Sequence, residues 1–171
     1  MRSVKRIRLY LWRFLINELI GSCLIGNKLR PKIYNLLGVR VLNPKTVCIE
    51  SGVKFKTNNV IIAAGVFINQ NVFFDNNSLI QIDENVAIGG RVRLITSGHM
   101  IGNKNQRAGQ SQSSPILVEK GVWIGDSVVI LGGVTIGAGS ILGACTLVNG
   151  NVESDSLYVG VPARFKRRLD A

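Results

Sequence analysis

The single histidine of the chain, His99, is the residue best suited to acid–base chemistry. It stands in the stretch LITSGHMIGN, residues 94–103. Imidazole titrates at about 6.5 and can take a proton from a hydroxyl group near neutral pH, so His99 is a candidate general base. Residues 95–118 contain no Asp or Glu, so the group that orients the ring would be a backbone carbonyl, or a side chain from elsewhere or from another subunit. The alternative is a solvated histidine at the end of a strand.

Positive charge is concentrated at the two ends of the chain. The formal net charge is +11; residues 1–40 hold nine basic residues and one acidic residue, and residues 164–170 hold four basic residues and one acidic residue. The middle of the chain is therefore close to neutral. This distribution suits an anionic membrane face or a phosphorylated ligand, and it argues against a nucleic-acid-binding surface across the whole fold.

The composition does not favour a metal site or a disulfide framework. Cys23, Cys48 and Cys145 are too few and too scattered for a disulfide framework or a zinc knuckle. One histidine cannot supply the three that a carbonic anhydrase zinc site takes. We therefore predict no metal site.

Residues 1–44 are predicted to form a basic amphipathic helical segment. Its apolar run LYLWRFLINELIGSCLIG is interrupted by Arg13, Asn17 and Glu18, so it does not reach the ~18–20 apolar residues of a membrane span. It also lacks the small-residue cleavage site of a signal peptide. The segment could lie on a membrane surface, or its apolar face could pack on the rest of the protein or on a neighbouring subunit. A second short helix is predicted to begin at Pro31 and to end before Gly38.

Six consecutive hexapeptides run from Val118, reading VEKGVW IGDSVV ILGGVT IGAGSI LGACTL VNGNVE. An aliphatic residue fills every first position, and a small or β-branched residue fills every fifth position. The same phase occurs in three upstream stretches, residues 49–55, 62–74 and 82–94. It slips by one residue before Ile62 and by two before Ile82, where turns or small bulges are expected. A period of six fits neither a helix nor a simple strand alternation; it indicates short parallel strands joined by turns and stacked as a β-helix.

The hexapeptide pattern fails between Leu94 and Val118, where the sequence is rich in Gly, Ser, Asn and Gln. We predict a loop excursion at residues 95–117 within a β-helical domain of residues 45–160, and a basic tail or helix at residues 161–171. Long loops in compact domains are often functional. His99 therefore lies where a rigid scaffold passes into a loop.

The hexapeptides, the SGH segment and the closing VGVPARFKRR together resemble the hexapeptide-repeat acyltransferases, over about residues 45–168. The closest types are the galactoside and maltose acetyltransferases and the polysaccharide O-acetyltransferases. The resemblance implies an all-β fold, a left-handed parallel β-helix with an N-terminal helical segment and a short C-terminal helix. It further implies a homotrimer that binds acetyl-coenzyme A between subunits. The SGH segment is similar to the TGH segment of the family's catalytic histidine, which implies His99 as the general base.

The same resemblance implies an acceptor site. Phe67 and Asn69, in FINQN, match a segment that carries an acceptor-pocket asparagine about 30 residues before the histidine. The Asn69 amide could bond an acceptor hydroxyl or the developing oxyanion, and a turn asparagine is the alternative. Asn77 falls where the galactoside and maltose enzymes often have a sugar-binding aspartate, and a neutral amide there argues against their acceptor specificity.

On the coenzyme side, Trp123 in GVWIG is implied to line the thioester channel, unless it only packs beside the loop. Four positions are implied to contact the pantetheine arm, largely through backbone groups: Asp126, Ala144, Asn149 and Gly150. Arg164 and Arg167, with Lys166 and Arg168 beside them, are implied to bind the phosphates of coenzyme A. A solvated basic tail is the alternative.

The expected function is acetyl-coenzyme A-dependent O-acetylation of a sugar hydroxyl in a bacterial capsule, lipopolysaccharide or exopolysaccharide. The expected location is the cytoplasm, with peripheral contact at the inner membrane face as an option. One alternative is an acetyltransferase for a small free sugar or an antibiotic. Another is a non-catalytic trimeric β-helix scaffold, which would not bind coenzyme A. No nucleic-acid partner is expected, because the sequence has no aromatic-and-basic recognition motif.

Overall fold

The structure, a computed structural model, describes the backbone of residues 2–170 and the side chains of residues 6–170. The side chains of Arg2 and Lys5, both part of the predicted basic helix, lie outside the described residues. Met1 and Ala171, the outer limits of the predicted terminal segments, lie outside them as well.

Short β-strands account for most of the described chain. In order they are β1 (Arg40–Val41), β2 (Cys48–Ile49), β3 (Lys54–Phe55), β4 (Val60–Ile62), β5 (Phe67–Ile68), β6 (Phe73–Asp75), β7 (Ile80–Ile82), β8 (Ala87–Ile88), β9 (Arg93–Ile95), β10 (Ser97–Ile101), β11 (Ala108–Ser113), β12 (Ile116–Val118), β13 (Trp123–Ile124), β14 (Val129–Leu131), β15 (Thr135–Ile136), β16 (Ile141–Leu142), β17 (Leu147–Val148), β18 (Ser156–Val159) and β19 (Arg164–Arg168).

The strands form three parallel sheets that the chain visits in turn. The first sheet runs β1-β4-β7-β12-β15, the second β2-β5-β8-β13-β16-β18, and the third β3-β6-β9-β14-β17. Leu117 pairs with Thr135 and Val129 pairs with Leu147, so one coil of the later stack is three hexapeptides long. The predicted parallel β-helix is confirmed. Its first coil already begins at Arg40, inside the segment 1–44 that the sequence assigned to helix.

The interior of the β-helix is filled by the first residue of each hexapeptide. All fourteen such side chains are fully buried: Ile49, Phe55, Ile62, Ile68, Phe74, Ile82, Ile88, Leu94, Val118, Ile124, Ile130, Ile136, Leu142 and Val148. The rings of Phe55 and Phe74 stack in adjacent coils with centroids 4.9 Å apart. Each coil therefore covers the apolar interior of its neighbours, and stability is shared along the stack.

The two phase slips lie at one corner of the β-helix, between the third and the first sheet. There the fully buried Asn76 hydrogen-bonds to the backbone of the turn in the preceding coil. Its Oδ1 accepts from the amides of Lys56 and Thr57, and its Nδ2 donates to the Thr57 carbonyl at 2.7 Å. An amide side chain can satisfy both donors and acceptors of the neighbouring turn, so the corner tolerates the extra residues.

The predicted short C-terminal helix is wrong. Residues Arg164–Arg168 form β19, which pairs antiparallel with β18 and extends the second sheet. The rings of Tyr158 and Phe165 meet edge to face across this pair, 5.9 Å apart. A five-residue helix would have little stability of its own, whereas the strand gains ladder hydrogen bonds and a cross-strand aromatic contact.

Two helices cap the first coil. Helix α1 (Arg2–Phe14) continues as a π-helix (Leu15–Ile20), and α2 (Arg30–Leu36) matches the predicted second helix. Arg30 is 1% exposed and donates only to backbone carbonyls, those of Ile20, Ser22, Ile25 and Ile49. Its guanidinium thus joins the helical cap to strand β2. Neither helix has the length and the apolar character needed to cross a bilayer, a finding that applies to the described residues.

We predict that Tyr34 makes the protein less stable in alkali. Tyr34 is fully buried among Arg30 and Phe55, and burial raises the pKa of its hydroxyl well above the usual 10.0. The unfolded chain ionises this group at lower pH than the folded chain does, so the free energy of unfolding falls as the pH rises above about 10. In a Tyr34→Phe variant the fall should be smaller by up to about 1.4 kcal/mol per pH unit. Urea unfolding at about pH 9 and about pH 11 measures the difference, and equal losses in both proteins would refute it.

Candidate active site

The excursion between β9 and β12 is an ordered hairpin and not the predicted loop of residues 95–117. Strands β10 and β11 pair antiparallel, with Ser97 opposite Ser113 and His99 opposite Ser111. Ile95 still belongs to β9, and β12 begins at Ile116, so the excursion is also shorter than predicted. The backbone hydrogen bonds of the hairpin hold His99 on a strand and fix its position relative to the β-helix.

His99 is exposed on β10, and its Nδ1 lies 3.0 Å from the carbonyl oxygen of Gly109 on β11. A carbonyl oxygen can only accept, so Nδ1 carries the proton of the neutral ring and Nε2 keeps a free lone pair. The sequence offered a backbone carbonyl as one of three kinds of orienting group, and this carbonyl fills that role. The ring is thus held in the tautomer that a general base acting through Nε2 requires.

A β-bulge brings the Gly109 carbonyl to the ring. The pairing register shifts between His99 and Ile101, because Ile101 pairs with Ala108 while His99 pairs with Ser111. A side chain at position 109 would lie 2.9 Å from the Met100 carbonyl oxygen, so this close approach requires glycine. Bulges near active sites commonly redirect a side chain. Gly109 was not predicted from the sequence; the lone glycine in RAGQ, flanked by residues of a strand, is the signal that could have revealed it.

A polar network fastens the base of β10 to the β-helix. Asp75 Oδ1 accepts from Ser97 Oγ at 3.1 Å and from Lys56 Nζ at 2.8 Å, and Asn77 Nδ2 donates to Ser97 Oγ at 2.7 Å. Asp75 is only 8% exposed. Asn77, a predicted acceptor residue, therefore contacts β10 at Ser97, two residues before His99. Asp75 was not predicted, since an acidic residue at the end of a buried strand carries no distinctive sequence pattern.

A cleft of about 180 Å³, lined by both apolar and polar side chains, opens beside this network. Its lining includes the hydroxyl and amide side chains of Thr96, Ser97, Gln112, Ser113 and Ser114. The hydroxyls of Thr96 and Ser97 already donate and accept hydrogen bonds within the protein. The side chains of Gln112, Ser113 and Ser114 are therefore the groups that suit a ligand rich in hydroxyl groups.

The other predicted acceptor residues lie on a different face. Phe67 and Asn69 belong to the second sheet, at β5 and directly after it, whereas the hairpin leaves the corner between the third and first sheets. Asn69 Oδ1 accepts from the Gln70 amide at 2.7 Å, so the free polar group of Asn69 is the Nδ2 donor. Because the second sheet forms the face opposite that corner, a single chain does not bring His99 and Asn69 together.

Trp123 lies in the same outward row of the second sheet as Phe67. Phe67 pairs with Ala87 and Ala87 pairs with Trp123, so the three side chains form a line across adjacent coils. Phe67 and Trp123 are 38% and 57% exposed. Two large aromatic side chains open to solvent on one sheet face are typical of a surface that contacts another protein or a ligand.

The predicted pantetheine contacts fall on two corners of the β-helix. Asp126 and Ala144 stack at the corner between the second and third sheets, where Asp126 is paired with Arg91 and accepts from Ser127 Oγ at 2.7 Å. Asn149 and Gly150 are exposed at the corner that carries the hairpin. The Asp126 side chain is therefore engaged within the stack, while the other three positions offer backbone groups at the surface.

The basic residues of β19 differ in their partners. Arg168 pairs with Glu153 at 2.6 Å and donates to the Ser154 carbonyl. Arg164 and Arg167 are exposed and contact only the backbone carbonyls of Ala163 and Arg168. Among the described residues neither has a carboxylate partner, so both guanidinium groups are open to an anionic ligand.

Comparison with known proteins gives a consistent result. Residues 115–150 match the model of the bacterial transferase hexapeptide (six repeats). The chain is 33% identical to the galactoside O-acetyltransferase of Escherichia coli (strain K12) over 113 residues, which are 66% of this chain and 56% of that enzyme. It is 30% identical to a provisionally named acetyltransferase of Staphylococcus aureus (strain COL), over 92% of this chain and 84% of that protein. The chain spans about half the length of the first three curated relatives, 54–56%.

A solved structure extends the similarity to nearly the whole chain. It is a hexapeptide-repeat acetyltransferase of Vibrio cholerae O1 biovar eltor in complex with acetyl-coenzyme A. That structure has a TM-score of 0.83 and 29% sequence identity, and the match covers 99% of this chain and 89% of the other.

Proposed function

Since the chain belongs to the hexapeptide-repeat acetyltransferases, we propose that it transfers an acetyl group from acetyl-coenzyme A to a sugar hydroxyl. The observation that carries the proposal is the hydrogen bond from His99 Nδ1 to the Gly109 carbonyl. It leaves the Nε2 lone pair of an exposed ring available as a base.

The proposed reaction is a direct transfer. His99 Nε2 takes the proton of the acceptor hydroxyl while the hydroxyl oxygen attacks the thioester carbonyl carbon, giving a tetrahedral oxyanion. The carbon–sulfur bond then breaks, the ester is released, and the imidazolium returns its proton to the thiolate of coenzyme A. The Asn69 Nδ2 group of a neighbouring subunit is the proposed donor to the acceptor or to the oxyanion.

A homotrimer is part of the proposal. The aromatic row of Phe67 and Trp123 provides an apolar face for subunit contact, and such a contact would bring the second sheet of one subunit to the hairpin of the next. Trp123, Ala144, Asn149 and Gly150 are proposed to line the coenzyme groove between them.

For the acceptor we propose a hydroxyl of a bacterial capsule, lipopolysaccharide or exopolysaccharide sugar. The side chains of Gln112, Ser113 and Ser114, which line the cleft at the base of the hairpin, support a hydroxyl-rich ligand. Asn77, a neutral amide that donates to the lining residue Ser97, supports an acceptor different from that of the galactoside enzymes. We expect the reaction to take place in the cytoplasm, where acetyl-coenzyme A is made and lipid-linked glycans are assembled at the inner membrane face.

The test is release of free thiol from acetyl-coenzyme A in the presence of a panel of acceptors. The panel holds polysaccharide repeat units, galactosides, maltose and a streptogramin, and thermal shift with coenzyme A is measured alongside. We expect stabilisation by coenzyme A and the highest kcat/KM with a repeat unit. Faster turnover of a free sugar or of the antibiotic would refute the proposed polysaccharide acceptor. No stabilisation by coenzyme A would favour the alternative of a non-catalytic β-helix scaffold.

Arg164 and Arg167 are predicted to hold the coenzyme phosphates. The double variant Arg164→Gln/Arg167→Gln should raise the KM for acetyl-coenzyme A roughly 10-fold or more and leave kcat nearly unchanged, because the lost contacts lie far from the reacting atoms. The matched control is Arg168→Gln, whose guanidinium is already paired with Glu153. An equal KM increase in the control would show that the effect comes from the total positive charge of β19 and not from specific phosphate contacts of Arg164 and Arg167.

A further inference from the structure

Helix α1 presents an apolar stripe that no other part of the described chain covers. The side chains of Ile7, Tyr10, Leu11 and Phe14 are 54%, 68%, 63% and 58% exposed. Their spacing of three, four and seven residues puts them on one face of a helix. Four large apolar side chains in a continuous line are more than the scattered exposure of an ordinary surface.

The opposite face of this helical segment is the one that packs on the β-helix. Trp12 Nε1 donates to the Leu37 carbonyl at 2.8 Å, and Asn17 both donates to and accepts from the backbone of Phe55. Ile16 is fully buried. These contacts fix the rotation of the helix about its axis, so the stripe is held facing outward and is not the packing face.

Positive charge borders the stripe. At 100° per residue, Arg6 and Arg8 lie about 90° to either side of its centre, and both are exposed. Residues 1–17 contain no Asp or Glu, and residues 41–163 carry equal numbers of basic and acidic residues. The excess charge at this end of the chain is therefore concentrated where the apolar stripe lies.

We propose that α1 docks on an anionic phospholipid bilayer, with the stripe inserted among the acyl chains and the arginines on the lipid phosphates. No helix of the described residues is long and apolar enough to cross a bilayer, and an apolar stripe with basic borders is the pattern of a helix that lies in the interface. Pairing of α1 with the α1 of a second copy is disfavoured, because it would bring their arginines together. This binding activity does not depend on the proposed acetyl transfer.

The test is co-sedimentation of the full chain with vesicles of phosphatidylcholine alone or with about one third phosphatidylglycerol. We expect binding to the anionic vesicles and a loss of roughly 10-fold or more in affinity for Arg6→Gln/Arg8→Gln. The matched charge control is Lys45→Gln/Lys120→Gln, two exposed lysines of the β-helix. Tyr10→Ser/Leu11→Ser should lose binding as well, whereas Leu24→Ser, an 88% exposed leucine outside α1, should not.

Three results would overturn the proposal. Equal binding to both kinds of vesicle would show that the arginines do not recognise anionic lipid. Equal losses of vesicle affinity in the control variants would show that α1 is not the binding element. A stripe variant that changes the oligomeric mass in light scattering while vesicle binding persists would identify the stripe as a subunit contact. Thermal shift of every variant verifies folding, and thiol release with a water-soluble acceptor reports separately on acetyl transfer.

Discussion

Replacing His99 by alanine is expected to lower kcat for acetyl transfer by roughly 10²- to 10⁴-fold, the usual contribution of a positioned general base. The variant would lose the only imidazole in the chain, and neither strand of the hairpin offers another group that titrates near neutral pH. His99 is exposed and lies outside the β-helical core, so its removal should cost little folding stability. The readouts are thiol release for kcat and thermal shift with coenzyme A for binding.

Two further variants make this result specific to the base. His99→Gln keeps an amide that can donate to the Gly109 carbonyl but has no basic nitrogen, so it should be as inactive as the alanine variant. Met100→Ala changes the next, half-exposed residue of β10 and should retain activity within a few-fold. Full activity in either His99 variant would refute general-base catalysis by this residue and therefore the proposed mechanism.

The hexapeptide phase predicted the β-helix well because the pattern and the structure repeat together. Every residue assigned to a first position, from Ile49 to Val148, is fully buried. The slips before Ile62 and Ile82 lie at one corner of the β-helix, where the Asn76 side chain hydrogen-bonds to the backbone of the neighbouring turn. Local repetition leaves few alternatives, since each coil must pair with neighbours of the same strand pattern.

The hairpin and the C-terminal strand could not be predicted in the same way. The residues of β11, AGQSQS, are small and polar and show no alternation of apolar and polar residues. The run RFKRR of β19 carries four charges in five residues, and its structure is set by pairing with β18 and by the contact between Tyr158 and Phe165. Tertiary contacts therefore determine the secondary structure of both segments, because the local sequence preferences there are weak.

The sequence named His99, Asn69 and Asn77 as candidate residues, but it did not predict how they are arranged. A spacing of about 30 residues between Asn69 and His99 gives no indication that they face different sides of one chain. The orienting carbonyl of Gly109 depends on a bulge, and a bulge depends on the register of two strands. Sequence patterns identify the groups that can react, whereas pairing and assembly determine which of them meet.

This separation of Asn69 from His99 leads to a prediction about mixed oligomers. If each site combines the hairpin of one subunit with the second sheet of the next, then His99→Ala and Asn69→Ala should complement each other. Each variant alone has the same defect in every site, and Asn69→Ala is expected to lose roughly 10²-fold in kcat, as for a removed oxyanion donor. When the two are co-expressed in equal amounts and mix at random, about one quarter of the sites receive both intact residues.

Isolation through a different tag on each variant keeps only the mixed trimers, in which one site of the three receives both intact residues, so kcat per site should be roughly a third of the wild-type value and far above either parent. The matched control is a mixture of His99→Ala with His99→Gln, which cannot assemble an intact site in any arrangement and should stay inactive. Activity of the test mixture no greater than the mean of its parents would mean that both residues serve one subunit or that the oligomer does not form. Full kcat in Asn69→Ala alone would instead show that this amide only shapes the turn after β5, where its Oδ1 already accepts from Gln70.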